Sequence, residues 1–247
     1  MKFSLFFRFI CFVVSLVSVV PITAASSQEA ILDAWAAALG GKEKLRSISS
    51  TYSSSNIATG ELSGVVENWS TSTGKFKENA LLGSVYRTIT VYDTEQRSGW
   101  VADSSGAIRR LEGTDLQNQI TAAYFSSFSL FIPGRLPGKV TYEGEDATKH
   151  FDVVRVYPEG GRSVTVYLDK ATHLPAKQEQ QEDDGLLTIL FSDYRDVSGI
   201  RVPFQFRQTT GNPDTDVLVV LQEIRWNVPI DPKIFSRPAV SPLETSP

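Results

Sequence analysis

Cysteine and histidine are almost absent from this chain of 247 residues, which contains one Cys and two His. The single Cys11 lies in an apolar run near the N-terminus, and we expect it to be removed with that run during export. The mature domain then has no disulfide framework, zinc finger, thiol redox centre or cysteine nucleophile. A domain of about 220 residues can be stabilised without disulfides, because it can bury a large hydrophobic core.

Beyond the N-terminus, the chain has no apolar run of the roughly 18 residues that a membrane-spanning helix needs. Lys2 and Arg8 precede the apolar run at 9–20, and small residues follow at 23–25. The run is too short to span about 30 Å of hydrocarbon at roughly 1.5 Å per residue. A signal peptide at 1–25 is therefore favoured over a membrane anchor. We expect a periplasmic or secreted protein with peripheral or no membrane association.

Positive charge is also scarce. The chain has 24 Lys and Arg against 28 Asp and Glu, a net charge of −4. Loss of Lys2 and Arg8 with the signal peptide brings the net charge near −6. A nucleic-acid-binding surface needs clustered basic residues, and no such cluster is present. We therefore predict no nucleic-acid partner.

Recognisable catalytic motifs are missing as well. His150 and His173 do not have a metal-ligand spacing, and no G-x-S-x-G elbow or phosphate-binding loop occurs. The acidic string at 182–185 is more typical of a solvated hairpin tip than of a cation-binding loop. Scattered carboxylates leave glycoside hydrolysis open, because their separation in space cannot be read from sequence. We predict a protein that is not an enzyme and has no cofactor or metal, with an exported hydrolase as a less favoured alternative.

Apolar residues at helical spacing predict three helical segments. Residues 28–39 form an amphipathic helix that Gly40-Gly41 stops, and 42–48 add a further turn. A strongly apolar helix is predicted at 114–132, in the middle of the chain. An aromatic stripe on such a helix is more often part of a core than of a ligand site. Its apolar residues, with Ala123 beside them, are Leu116, Ile120, Tyr124, Phe128 and Phe131.

Most of the remaining chain alternates apolar and polar residues with a period of two, as at 84–92 and 201–207. About eleven such segments form two groups, at 51–113 and 139–226, on either side of the mid-chain helix. This pattern predicts a mainly β protein with an antiparallel sheet whose two faces have different surroundings. The simplest arrangement is a curved sheet with a polar convex face and the helix on its concave face.

Four strings carry a resemblance to a known family. They are ALGGKEKL at 38–45, VYLDKATHLP at 166–175, FSDYRDVSGIRVP at 191–203, and the closing stretch at 227–235. Each string is weak alone, but in this order the strings resemble the outer-membrane lipoprotein-sorting (LolA-like) superfamily, in its divergent exported bacterial members. The resemblance covers about residues 28–238.

The resemblance implies an open antiparallel β-barrel of about eleven strands, with helices covering an apolar cavity. We place this domain at 26–238, followed by a disordered proline-rich tail at 239–247. Proteins of this family bind lipids, acyl chains or lipoproteins without a cofactor, so we expect such a ligand here. The alternative is an envelope sensor or scaffold module that binds a protein partner through a sheet edge.

Two sets of residues are expected to matter. The first set lines the cavity from the mid-chain helix and consists of Leu116, Ile120, Ala123, Tyr124, Phe128 and Phe131. The second is the family motif, to which we assign a structural role and which consists of Asp193, Tyr194, Arg195 and Pro203. Within the motif, the acid and the base lie two residues apart on one strand face and should form an ion pair. The tyrosine lies on the other face and should enter the core.

We predict that export cleaves the chain after Ala24 or Ala25, because these small residues follow a short apolar run. N-terminal sequencing of the exported product measures the cleavage position. Recovery of the chain in a membrane fraction with Met1 intact would contradict this prediction and favour the anchor.

Overall fold

The computed structural model describes residues 23–183 and 185–239, so most of the predicted signal peptide and tail lies outside the described residues. Three α-helices are present in these ranges: α1 (Thr23–Leu39), α2 (Lys42–Ser47) and α3 (Gly113–Ser126). The predicted cleavage site would lie within the first turn of α1. The strands are β1 (Ser50–Thr59), β2 (Leu62–Thr71), β3 (Phe76–Leu82), β4 (Tyr86–Asp93), β5 (Ser98–Ala102), β6 (Ile108–Arg110), β7 (Gly138–Glu145), β8 (Phe151–Pro158), β9 (Val164–Asp169), β10 (Pro175–Glu182), β11 (Gly185–Val197), β12 (Ile200–Thr209) and β13 (Val217–Trp226).

All of these strands belong to one antiparallel sheet, in the order β6-β5-β4-β3-β2-β1-β13-β12-β11-β10-β9-β8-β7. Apart from β6 and β7, strands that are consecutive in the chain are paired, and one further pairing joins β1 to β13. β6 and β7 lie at the two edges, so the sheet is not closed. The open β-barrel prediction is confirmed, although the described residues form 13 strands rather than about eleven. Short strands such as β6, with 3 residues, are too brief to show alternation.

The position of α3 follows from this order. β6 and β7 are consecutive in the chain but lie at opposite edges of the sheet. The segment between them must therefore cross the open side, and α3 contacts both β2 and β8. The predicted mid-chain helix is confirmed between the two strand groups.

The helix ends at Ser126, however, six residues before the predicted end at 132. The cause is a serine-rich stretch directly after it. Ser127 Oγ donates to the carbonyl oxygen of Tyr124 at 3.1 Å and lies 2.6 Å from Ser129 Oγ. Serine hydroxyls that bond to the backbone compete with helix continuation. Phe128 then adopts a left-handed conformation with φ of 56°, and turns follow up to residue 132.

The main core lies where the helices meet the concave face of β8 to β13. Buried side chains of α1, of α2, of α3 and of the turns that follow α3 pack there against alternate residues of the strands. The first half of the sheet contributes only a small second cluster around Val66, Ala80 and Leu82. The helices therefore fill one half of the concave face and leave much of the other half uncovered. The main cluster includes Trp35, Ala36, Leu45, Ile48, Tyr124, Phe131, Val154, Val156, Val164, Val166, Leu168, Ile200, Val202 and Leu221.

The convex face is less polar than predicted. Val65 and Leu81 are paired across β2 and β3, and each is 42% exposed. Leu190 and Leu218 on β11 and β13 are also exposed, although the alternation places them on the water-facing side. Branched and aliphatic side chains favour strands on both faces, so alternation alone overestimates the polarity of this surface.

Arg135 connects the ends of two helices. Its Nη1 donates to the carbonyl oxygen of Ser127 at 2.6 Å, and its Nη2 donates to the carbonyl oxygen of Arg46 at 2.8 Å. These carbonyls follow α3 and end α2, where intrahelical donors are lacking. One guanidinium therefore holds the C-terminal ends of α2 and α3 together.

We predict that Arg135→Ala lowers the free energy of unfolding by about 2–3 kcal/mol, because it removes two hydrogen bonds from a charged, half-buried donor. Arg135→Lys should recover part of this loss, since an ammonium can reach one of the two carbonyls. The control is Arg109→Ala, which removes an exposed ion pair to Asp115 and should change stability by about 0.5 kcal/mol or less. Urea titrations of the three variants give the values, and equal effects of Arg135→Ala and Arg109→Ala would contradict the proposed role.

Candidate binding grooves on the concave face

The first candidate site is a cavity of about 410 Å³ between the helices and β9 to β12. We call it the helix groove. Strands β11 and β12 contribute the apolar side chains of Leu187, Ile189, Phe191 and Phe206. The residues that the helical layer contributes are mainly apolar as well and include Trp35, Leu39, Ala122, Phe125, Phe128 and Phe131.

Aromatic side chains give this groove rigid walls. Trp35 is only 3% exposed and packs edge-on against Phe131, with ring centroids 5.0 Å apart. Phe191 and Phe206 meet across β11 and β12 at 5.7 Å. Within the described part of the chain, the indole N–H of Trp35 has no acceptor. The groove thus offers a mainly apolar surface, and a buried indole N–H without a partner lies in its wall.

The second candidate site is a cavity of about 750 Å³ over the concave face of β1 to β4, β12 and β13. We call it the sheet groove. It occupies the half of the sheet that the helices leave uncovered. Phe206 and Gln208 line both cavities, so the two grooves meet along β12. Its aliphatic lining includes Ile57, Leu62, Val66, Leu82, Val219 and Leu221.

A polar row crosses the floor of the sheet groove. Ser53, Asn68 and Glu78 are cross-strand neighbours on β1, β2 and β3, and all three line the cavity. Burial raises the pKa of the Glu78 carboxyl above its ordinary value, because removal from water disfavours the charged form. Glu78 is the one acid that lines either of these two grooves in the described part of the chain.

The structure divides the predicted stripe of α3 between two sides of the helix. Phe128 and Phe131 line the helix groove. Ile120, Ala123 and Tyr124 instead line a separate cleft of about 130 Å³ on the opposite side. Leu116 is half-buried and lines neither cavity. The structure therefore brings the predicted lining set together only in part. One side of α3 faces the helix groove and the other side faces the small cleft, so the stripe is divided between two cavities.

Other residues of α3 face the helix groove. Asn118, Thr121, Ala122 and Phe125 line it and recur at helical spacing. This second stripe could have been read from the sequence, but its polar members made it less visible than the aromatic one. The sheet groove was missed because alternation shows that a strand has two faces, without showing which face is concave.

The family motif lies at the wall of the helix groove. Arg195 Nη2 and Asp193 Oδ2 form an exposed ion pair at 2.5 Å, as the spacing predicts. Tyr194 points to the other face, and its hydroxyl donates to the carbonyl oxygen of Pro175 at 2.8 Å. Burial raises the pKa of Tyr194 well above its ordinary value. Tyr194 is directly opposite Pro203, and both line the groove. These two residues of the motif therefore form part of the groove wall, while the Asp193–Arg195 ion pair lies on the exposed face of the strand.

The acidic string at 182–185 anchors α3. Asp183 accepts hydrogen bonds from Thr114 Oγ1 at 2.6 Å and from Arg162 Nη2 at 2.5 Å. These two contacts lower the pKa of the Asp183 carboxyl. Arg162 Nη1 also donates to the carbonyl oxygen of Gln181 at 2.6 Å. The hairpin tip therefore holds the start of α3, while Asp184 lies outside the described residues.

The two histidines are exposed at turns next to β8 and β9. Among residues 23–183 and 185–239, no group of three or more His, Cys, Asp or Glu side chains is placed to hold a metal ion. Within the same ranges, no helix has the length and apolar character needed to cross a membrane.

No family model and no curated protein matches the chain. Solved structures do. A LolA superfamily protein from Nitrosomonas europaea has a TM-score of 0.57 at 13% identity, and the match covers 84% of this chain and 96% of that one. A DUF1329 family protein from Desulfovibrio piger has a TM-score of 0.56 at 15% identity, with the same coverage of 84% and 96%. An outer membrane lipoprotein-sorting protein domain from Vibrio parahaemolyticus has a TM-score of 0.52 at 11% identity, covering 85% of this chain and 94% of that domain. The predicted resemblance is confirmed at the level of the fold: this chain has a LolA-like fold.

Proposed function

We propose that this protein binds molecules with long apolar chains in the joined helix and sheet grooves, and that it carries out no catalysis. Lipids, acyl chains and the lipid parts of lipoproteins are the ligands of this class. The observation that carries the proposal is the continuous, mainly apolar lining of the concave face, which passes from one groove to the other at Phe206. A sheet built only for stability would have filled this space with side chains.

The size and chemistry of the grooves suit such ligands. Both volumes lie within the range of roughly 300–1,000 Å³ typical of small-molecule sites. Transfer of a chain from water into an apolar groove gains about 0.8 kcal/mol per CH₂. The roughly fourteen CH₂ groups of a sixteen-carbon acyl chain would gain about 11 kcal/mol before the costs of ordering are subtracted. No catalytic group is needed for this binding.

Ligands can reach the sheet groove from the end of the sheet where β1 turns into β2 and β3 turns into β4. Leu62 and Tyr86 line the groove there and are 41% and 46% exposed. Val85, in the turn before β4, is 63% exposed. This apolar rim is a suitable place for an acyl chain to leave a membrane or a carrier and enter the groove.

An envelope location supports the same proposal. The N-terminal residues predict export, and one of the similar solved structures is a domain described by its role in sorting outer-membrane lipoproteins. We infer a periplasmic or secreted protein that meets lipids or lipoproteins, with peripheral or no membrane association.

Binding of a protein partner through a sheet edge is the second candidate, and the edges favour it less. β6 is only 3 residues long. On β7, the backbone N–H of Tyr142 donates to the Gln28 side chain at 3.4 Å, and the register shifts between Tyr142 and Gly144. Strand addition needs a regular row of free backbone groups, which neither edge presents over a useful length. Hydrolysis by a carboxylate pair is disfavoured in the grooves, because Glu78 is the one acid among their described lining residues.

We predict that Ala122→Trp blocks uptake of a dansylated fatty acid by the protein, because the indole would occupy the helix groove that Ala122 lines. Gln117→Trp is the matched control, since Gln117 lies on the same helix with its side chain exposed. The control should bind the probe like the wild type. Fluorescence titration gives the affinities, and circular dichroism with thermal melting checks that both variants are folded.

Probe binding by Ala122→Trp with unchanged affinity would contradict a role for the helix groove. Absence of binding by the wild-type protein would contradict the proposed function and favour the sheet-edge partner. Ala123 is a poor position for this test, because it is 1% exposed and faces the small cleft on the other side of α3. A bulky residue there would overpack the interior and destabilise the fold.

A further inference from the structure

The polar row on the floor of the sheet groove contains two neighbouring acceptors. Asn68 on β2 is directly opposite Glu78 on β3. Side chains at such positions in antiparallel strands have Cβ atoms about 4.5–5.5 Å apart and lie on the same face. Both residues line the sheet groove. The Asn68 amide and the Glu78 carboxyl therefore lie side by side at the bottom of a mainly apolar cavity.

Neither acceptor has a hydrogen-bond donor from the described part of the chain, and Glu78 is half-buried at the surface of the groove. Asn68 Oδ1 is buried and has no hydrogen-bond donor. Burial is the one cause that raises the pKa of Glu78, and no basic side chain offsets it. The nearby lysines are engaged elsewhere, since Lys77 lies over the Trp69 ring at 5.2 Å and Lys75 pairs with Asp93 and Glu95. Buried polar groups without partners are uncommon, and each one calls for a physical explanation.

We propose that Glu78 and Asn68 form a headgroup subsite for an amphiphile that carries a primary ammonium group. This inference rests on the proposed function, because the apolar lining of the groove must hold the rest of the ligand. A primary ammonium brings one positive charge and three N–H donors. It can place its charge against the Glu78 carboxylate and donate to both Glu78 and Asn68 Oδ1. Charge-assisted hydrogen bonds of this kind are strong in a groove withdrawn from water.

The same chemistry separates this ligand class from related amphiphiles. A quaternary ammonium carries the charge but has no N–H to donate to Asn68. A carboxylate or phosphoglycerol headgroup would bring a second negative charge next to Glu78. The subsite should therefore favour an ethanolamine-type headgroup or a simple alkylamine over choline-type and anionic headgroups with the same chain.

Thermal stability without ligand gives an independent prediction. Because burial raises the pKa of Glu78 in the folded state, the folded protein binds this proton more tightly than the unfolded chain. The contribution of Glu78 to wild-type stability should then fall as the pH rises above the unfolded value of about 4.3. Glu78→Gln removes this loss. The melting temperature of the variant, relative to that of the wild type, should therefore increase as the pH is raised from about 4 to about 8. A constant difference across this range would show that Glu78 is well solvated and would contradict a subsite withdrawn from water.

The binding test uses three lysophospholipids with the same acyl chain, below their micelle-forming concentrations, and isothermal titration calorimetry. Wild-type protein should bind the ethanolamine lipid about tenfold more tightly than the choline or glycerol lipid, as expected for one charge-assisted contact. Glu78→Gln should lose this preference. Asn68→Leu, which removes the second acceptor, should reduce the preference. Glu61→Gln is the control of equal charge change, because Glu61 is exposed between β1 and β2, and it should behave like the wild type.

Binding of dodecylamine and of dodecyltrimethylammonium, which share a chain and differ in the ammonium group, shows which part of the headgroup the protein recognises. A preference for dodecylamine supports recognition of the ammonium alone, and a preference confined to the lysophospholipids supports recognition of the whole headgroup. Equal binding of the three lipids by the wild type, or an unchanged preference in folded Glu78→Gln, would overturn the subsite and leave the proposed function standing. Failure of the wild type to bind any of these amphiphiles would overturn both.

Discussion

The pairing of β1 with β13 is the constraint on which the rest of the structure depends. Without it, the two strand groups would be separate meanders with two additional free edges. The backbone N–H of Ser49 and its hydroxyl both donate to Asn227 Oδ1 next to this pairing, although the residues are 178 positions apart. A register shift at Ser54 and Ser55 bends the sheet at the same place. The pairing brings the concave faces of both groups together, so the two grooves meet, and it leaves β6 and β7 as the outer edges that α3 must connect.

The two halves of the sheet use the same alternation for different purposes. In the second half, buried valines such as Val156 and Val166 pack against the helices and make a dense core. In the first half, comparable strands leave their concave side chains in contact with open space. An unpaired carboxyl in such a space costs stability, and proteins commonly retain this kind of cost where a ligand or a reaction depends on it. Under the proposed function, Glu78 marks the part of the sheet that serves binding rather than packing.

Periodicity in the sequence was sufficient for the element types, the two strand groups and the helix between them, and the four family strings were sufficient for the fold. The early end of α3 could not be predicted, because it depends on hydroxyl contacts and on Arg135, which reaches back to Ser127. The orientation of the aromatic stripe could not be predicted either, since it depends on which arm of the sheet each side of α3 meets. The neighbouring positions of Asn68 and Glu78 follow from strand register, and turn lengths alone do not determine register.

The connection of α3 to both outer strands has a kinetic consequence. α3 is joined covalently to β6 and β7 and is also held by Arg162 at its start and by Arg135 beyond its end. The segment cannot leave the sheet until these side-chain contacts break. It can open only by local loosening against the sheet, at a free energy below that of global unfolding. Under the proposed function, a chain seated in the helix groove can leave by this local opening or through the open sheet groove that joins it at Phe206, and the faster route sets its residence time.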